Sequence, residues 1–199
     1  MEPYDPLKYE NIGLHLAEKL VSQTPHPLPP PPFSGFGVYA IYYCGNLEHY
    51  RPIAKKKGEA NPDAIPIYVG KAVKGGRKGR VEDDAGSELR QRLVQHGRSI
   101  EAAKNLRLDD FECRYLVLVP IWIPLAEQLL ISKYRPLWNV ALDGFGNHDP
   151  GKGRAAMRKP GWDIVHPGRS WADKLRAEHL ASDIWRRVAD FLAKTVKPA

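Results

Sequence analysis

Two cysteines and two methionines in 199 residues leave this chain little material for soft-metal or redox chemistry. Cys44 and Cys113 each lie in an apolar, strand-like run. They are too few and too isolated for a structural zinc site, and are expected as core residues in a reducing compartment. No apolar run approaches the roughly 20 residues of a membrane span. The opening MEPYDPLKYE carries an early acid and prolines, not the basic start and apolar core of a secretory signal, so the chain is expected in the cytoplasm. No internal repeat is visible. Acidic residues are also short: 23 Asp and Glu face 30 Lys and Arg, giving a net charge of +7 and a pI near 9.4. That balance points to a polyanionic partner, most often nucleic acid. What is present suffices for a core, since 43% of residues are hydrophobic, and the length suits one domain or one small domain with extensions.

The organisation reads as a small α/β core, of α+β type, with appended elements. Residues 7–22 pattern as an amphipathic helix, with Leu14, Leu16, Leu20 and Val21 as a rough apolar stripe. TPHPLPPPP (24–32) is too proline-dense for helix and predicts an extended polyproline segment, a spacer or an arm laid over a partner. Strands are predicted over 37–44, about 65–70, and 111–120. Between the first two lies a basic loop, 45–64, and after the second a basic glycine-rich run, KAVKGGRKGR. A helix is predicted over 87–100, with Ser87 as N-cap and Gly97 as a stop, and another from Pro124, broken at Pro136. The Gly-, Pro- and His-rich stretch 140–169 reads as a long irregular loop, and 170–194 as a closing helix. In domain terms the expectation is an N-terminal helix and arm (1–32), a catalytic core (33–140) containing the insertion 45–64, and a C-terminal loop and helical extension (141–199).

Chemistry is suggested where polar residues sit against apolar patterns. FGVYAIYYCG brings Tyr39, Tyr42 and Tyr43 into one strand, and PIYVGK brings Tyr68, Gly70 and Lys71 into the next. Counting by twos puts Tyr42 with Val38 and Ala40 on the face opposite Tyr39, a packing position. On the 124–135 helix, Glu127 falls between Tyr134 and Ile131, on the apolar side. A lone carboxylate there is costly unless it is paired, protonated or metal-bound, so Glu127 is either a rim residue or a metal ligand. Arg92 and His96 are four apart on the preceding helix and share one side of it. Either they are a solvated edge or they face the same cleft as Glu127. Hydrolysis of a phosphodiester calls for charge neutralisation at the phosphate, a water nucleophile and help for the leaving oxygen. A carboxylate-held Mg²⁺, an arginine, and a phenol beside cations and an imidazole answer those needs, nearby cations favouring the phenolate.

These residues, in this order, resemble the GIY-YIG nuclease superfamily. Gly37-Val38-Tyr39 stands at the first triplet and Tyr68-Val69-Gly70 at the second, with Val for Ile in both. Arg92, Glu127 and Asn139 (in PLWN) stand where the family has its arginine, its metal-binding glutamate and its closing asparagine. The match spans roughly 33–140. It implies a three-stranded, mainly antiparallel sheet flanked by helices. The spacing between the triplets is longer than in compact members, because of the loop 45–64. A similar insertion, and a histidine four residues after the arginine as at His96, mark the type II restriction endonucleases that cut CCGCGG. PIYVGKAV, AGSELRQRLVQHGR, YRPLWN, DGFGNHDPGKGR and WDIVHPGR also look like that subgroup.

The resemblance implies roles. Glu127 would hold one divalent metal, Mg²⁺ with Mn²⁺ as substitute. Tyr39 would be the general base, with His96 relaying or orienting its proton. Tyr68 would bond the water or the scissile phosphate, Arg92 would stabilise the transition state, and Asn139 would hold the architecture. The partner is double-stranded DNA. Candidate phosphate contacts are Lys55, Lys56, Lys57, Lys71, Lys74, Arg77, Lys78 and Arg80, and the 140–169 loop offers Lys152, Arg154, Arg158 and Lys159 as a reader or clamp. His148 and Asp149 alone are too sparse for a second metal site. A palindromic site cut on both strands is met by a two-fold homodimer, with the helices at 7–22 and 170–194 available for its interface.

Overall fold

A computed structural model of the protein describes residues 7–59, 61, 63–73, 86–147, 149 and 157–196. Four strands form one antiparallel sheet in the order β1-β4-β2-β3: β1 is His26–Pro27, β2 Gly37–Tyr43, β3 Tyr68–Ala72 and β4 Phe111–Val117. β2 is central, paired on both sides, and all seven of its residues are buried. That is why its sequence is apolar and aromatic throughout instead of alternating with polar residues.

The two faces of β2 feed two cores. Val38, Ala40 and Tyr42 pack with Ala17 and Leu20 of α1 (Tyr9–Val21) and with Ile123, Ala126 and Leu130 of α3 (Ile123–Tyr134). Tyr39, Ile41 and Tyr43 pack with Leu89, Leu93 and Ile100 of α2 (Glu88–Ala102), with Trp138 of α4 (Leu137–Val140), and with Trp162 of α5 (Gly161–Val165). Ile184, Val188 and Leu192 of α6 (Ala181–Thr195) complete this second core. Their four-residue spacing is the apolar stripe of an amphipathic helix. The period-two assignment of Tyr42 to the face away from Tyr39 is therefore what the fold has.

Several sequence expectations need correction. The sheet has four strands, because the proline segment is not a free spacer: His26 and Pro27 pair with Cys113 and Glu112. The same segment crosses α2. Gly97 faces Pro29 of the arm, where an added Cβ would make an ordinary contact at 3.4 Å, and it does not end the helix, which runs on to Ala102. Ser87 precedes the helix but makes no side-chain cap to its backbone; its hydroxyl takes a bond from Gln91. The third strand ends at Val117, since Pro120 opens a 3₁₀ turn, Pro120–Trp122, that leads into α3. The second strand begins at Tyr68, two residues after Pro66. The 140–169 stretch contains α5.

The closing helix is also not continuous. Trp171 lies over the Arg169 guanidinium, a short 3₁₀ turn follows at Ala172–Lys174, and the Arg176 carbonyl accepts the Lys159 backbone N–H. That tertiary bond holds the chain extended before α6. Nor is the 45–64 insertion only a basic loop. It carries a 3₁₀ helix, Glu48–Ile53, whose Tyr50 and Ile53 are buried.

Candidate active site

Both tyrosine–glycine pairs are local consequences of strand packing. Tyr39 pairs across the sheet with Gly70, and Tyr68 with Ile41. A Cβ on Gly70 would come within 2.6 Å of the Tyr39 ring carbon Cζ. The glycine is what lets the phenol lie across β3. On the other side of β2, a Cβ on Gly37 would run into the Leu116 carbonyl of β4. Asn139 of α4 ties down the free edge of β3: its amide oxygen accepts the Val69 N–H at 2.8 Å and its amide nitrogen donates to the Val69 carbonyl at 2.8 Å.

Around this edge the predicted polar groups converge. Tyr39 Oη and His96 Nε2 share a buried 2.6 Å hydrogen bond. The Tyr68 ring sits 6.2 Å from that of Tyr39 and 5.1 Å, edge-on, from His96. Arg92 lies one turn before His96 on α2. With Lys71, Ala72, Val73, Glu88, Gln91 and Gln95 it lines an open cleft of about 270 Å³. Glu127 of α3 forms a 2.6 Å ion pair with Lys71, and its side chain keeps 22% exposure. The carboxylate is thus on the apolar side of its helix but reaches a cation at the rim. Lys71, expected at a phosphate, is in this structure the partner of Glu127.

The electrostatics correct one expectation. The Tyr39 phenol is held well above its ordinary pKa, first by burial, then by Tyr68 and Glu127, with Arg92 pulling the other way. Tyr68 is raised too, by burial and then Glu127, again opposed by Arg92. Desolvation outweighs the nearby cation, because an anion in a closed site loses its hydration. A free phenolate is therefore not the resting state. A proton leaving Tyr39 needs an acceptor in contact, and His96 is in contact.

Among the described residues, no group of three or more His, Cys, Asp or Glu side chains could hold a metal. Glu127 offers one carboxylate. A hard cation bound mostly through water and substrate phosphates needs no more than one or two, and this carboxylate, partly exposed and already facing an ammonium, fits that use.

Other expected DNA contacts scatter. Lys55 is buried and paired with Glu112, whose other oxygen takes the Gly58 N–H at 2.7 Å; it anchors the insertion and is not offered to a phosphate. Lys56 is exposed. Lys57 donates to the Asp109 carbonyl at 2.8 Å. Arg158 pairs with Glu178 at 2.9 Å and Lys159 with Asp173 at 3.1 Å. Lys74, Arg77, Lys78, Arg80, His148, Lys152 and Arg154 lie outside the described residues. Sequence reasoning missed Phe145, whose ring stacks on His96 at 4.6 Å. Its one signal was an aromatic between two glycines in DGFGN.

An antiparallel sheet that carries paired tyrosines and glycines on neighbouring strands, backed by an Arg/His helix on one side and a Glu helix on the other, is the core of a GIY-YIG nuclease. Residues 31–192 match the family described as the Eco29kI GIY-YIG domain. The chain belongs to that family, which is one of restriction endonucleases. The match runs past α4 and takes in most of α6. No curated protein matches the chain. No helix among the described residues is long and apolar enough to cross a membrane.

Proposed function

We propose that this protein is a type II restriction endonuclease that hydrolyses double-stranded DNA at a short G·C palindrome, CCGCGG, with one Mg²⁺ at Glu127, acting as a homodimer with one site per strand. The reading is carried by the 2.6 Å Tyr39–His96 bond, set beside Tyr68 and an Arg92-lined cleft. The site sequence rests on the stretches similar to the CCGCGG-cutting subgroup.

In this mechanism the phosphate enters the cleft between Arg92 and Lys71. Tyr39 passes its proton to His96 Nε2 as it takes one from the attacking water, so no free phenolate accumulates. The water oxygen forms the new P–O bond, the bridging P–O bond breaks, and the leaving alkoxide is protonated from solvent. Arg92 meets the extra negative charge of the five-coordinate phosphorus. Tyr68 orients the water or a phosphate oxygen. Glu127 would hold the divalent ion, which would supply Lewis-acid charge at the phosphate and offset the carboxylate's own charge beside the tyrosines.

The test is a digest of two plasmids, one with a single CCGCGG and one without, in Mg²⁺ and in EDTA, with Glu127→Ala alongside. Linearisation of the site-bearing plasmid alone, dependent on Mg²⁺ and lost in the variant, is expected. Cleavage of both plasmids would keep the nuclease and remove the specificity, and nicking alone would point to a monomeric nuclease. Binding of DNA with no cleavage of either would point to another target sequence or to a catalytically silent DNA-binding scaffold.

A further inference from the structure

The turn that follows α4 presses on the Tyr39–His96 pair. Phe145 is buried, stacks on the His96 imidazole with 4.6 Å between centroids and 20° between planes, and meets Tyr68 edge-on at 4.9 Å. Behind it stand Trp138 at 4.4 Å and Trp162 at 5.3 Å. The ring therefore leaves the imidazole plane little freedom.

The backbone of this turn is gripped by one side chain. Arg169, buried, donates to the carbonyls of Gly144 at 2.8 Å, Phe145 at 3.2 Å and Asn147 at 2.9 Å. Its remaining donors go to the buried Asp163 carboxylate at 2.7 and 2.6 Å. All five guanidinium N–H groups are thus used. The plane is held between the rings of Trp162 and Trp171, at 4.7 and 4.8 Å. A lysine has three donors on a point charge and reproduces neither the fork nor the stacking.

We infer that Arg169 is a positioning residue for the proton relay: it clamps the 144–147 turn so that Phe145 fixes the ring plane of His96 in line with the Tyr39 hydroxyl. The inference rests on the nuclease reading above. A buried Arg–Asp pair is commonly structural only. Here the three carbonyls it takes belong to the turn whose aromatic ring lies against His96 and Tyr68. Proton transfer needs its heavy atoms held within hydrogen-bond reach and in line, and small misplacements of reacting groups cost rate steeply.

The full-length chain is tested as Arg169→Lys and Phe145→Leu, with Ile184→Val in α6 as a packing control. The first readout needs no DNA: the ring-proton resonances of His96, assigned by their loss in His96→Gln. A stacked phenyl shields them, so Phe145→Leu should move them downfield and Arg169→Lys should move or broaden them, while Ile184→Val leaves them in place. The second is the single-turnover cleavage rate at saturating DNA and Mg²⁺. It should fall on the order of 10- to 100-fold in both variants, with the DNA dissociation constant unchanged within about twofold and the control at the wild-type rate. If Arg169→Lys does not fold, Phe145→Leu decides. Unmoved His96 resonances, or an unchanged rate, overturn the inference. If the wild-type chain cleaves nothing, the nuclease reading fails, and the His96 resonances still judge the clamp.

Discussion

Asn139 should be an architectural residue, and its effect can be worked out from two hydrogen bonds. Among the described residues β3 is an edge strand, paired with β2. Val69 sits opposite Ala40, and its own N–H and C=O turn outward to the Asn139 side chain, both at 2.8 Å. The neighbouring Trp138 N–H adds a backbone bond to the Ile67 carbonyl at 2.9 Å. Asn139→Ala strips both partners from Val69 and offers nothing in return. Leaving a buried polar group unsatisfied costs about 1–3 kcal/mol. The bonds are only part-buried, so the low end applies to each, about 2–3 kcal/mol together. For a chain of this length, roughly 2–4 °C accompanies each kcal/mol. The melting temperature should therefore drop by about 5–10 °C. Asn139→Asp should cost at least as much at neutral pH, since a carboxylate oxygen would then face the Val69 carbonyl. Thermal unfolding reads the magnitude, and hydrogen exchange at the Val69 amide reads the place. A drop below about 2 °C with full protection at Val69 would refute this account. If such a variant were also inactive, Asn139 would belong to the chemistry.

Three further outcomes follow from the geometry. Tyr39→Phe should abolish cleavage with DNA binding intact, whereas Tyr42→Phe, whose ring packs in the other core beside the Arg114 guanidinium, should keep full activity and a melting temperature near wild type. Comparing the two in one digest and one melt checks both. Lys55→Ala should cost about 3–5 kcal/mol by leaving Glu112 buried and unpaired. Lys56→Ala should instead leave stability alone and lower the salt dependence of DNA binding by about one phosphate contact; similar melts for the two would contradict the placement of Lys55. The third outcome is acid sensitivity. Burial, and then His49, push the His166 pKa down to about 3, so the unfolded chain binds the extra proton between about pH 6.5 and 3. That stability is complete above about pH 6.5 and is lost as the pH falls, by up to about 5 kcal/mol. Urea unfolding from pH 7 to 4 measures it, and a flat profile would rule it out.

What could be read in the sequence is what local geometry controls. Strand periodicity separated Tyr39 from Tyr42, and a helical wheel put Glu127 on the apolar side, because both depend on residues within a turn or two. The errors have partners far along the chain. Lys55 looks like one more cation in a basic loop until Glu112, 57 residues on, closes over it. His26 and Pro27 become a strand only because β4 has a free edge to pair with. The break before α6 depends on Lys159 reaching Arg176, and no proline or glycine in 170–180 announces it. The Arg169 clamp likewise joins residues 22 to 25 apart across a segment whose composition says only loop.

The fold contains a second phenol–imidazole pair, and it contrasts with the first. Tyr50 Oη and His166 Nε2 are 2.5 Å apart, as close as Tyr39 and His96. Every polar atom of that pair is committed. Trp138 donates its indole N–H to Tyr50 Oη at 3.0 Å, and His166 Nδ1 meets the Asn105 amide oxygen at 2.9 Å. Since that oxygen only accepts, Nδ1 carries the hydrogen, and Nε2 must accept from Tyr50. Burial drives the two groups apart, the histidine down to about 3 and the phenol upward. A proton crosses readily only between sites of comparable affinity, so this pair is a pin and its proton stays on oxygen. The Tyr39–His96 pair has the same atoms and a similar distance. It differs in lying beside the Arg92 and Lys71 cleft, with Arg92 pulling the Tyr39 proton affinity down and Glu127 holding it up. Burial is still the first cause of the raised Tyr39 pKa, but the charges that follow it lie at an open cleft. In the proposed relay, therefore, the hydrogen bond alone would not suffice; a bound phosphate would have to change the charges beside it.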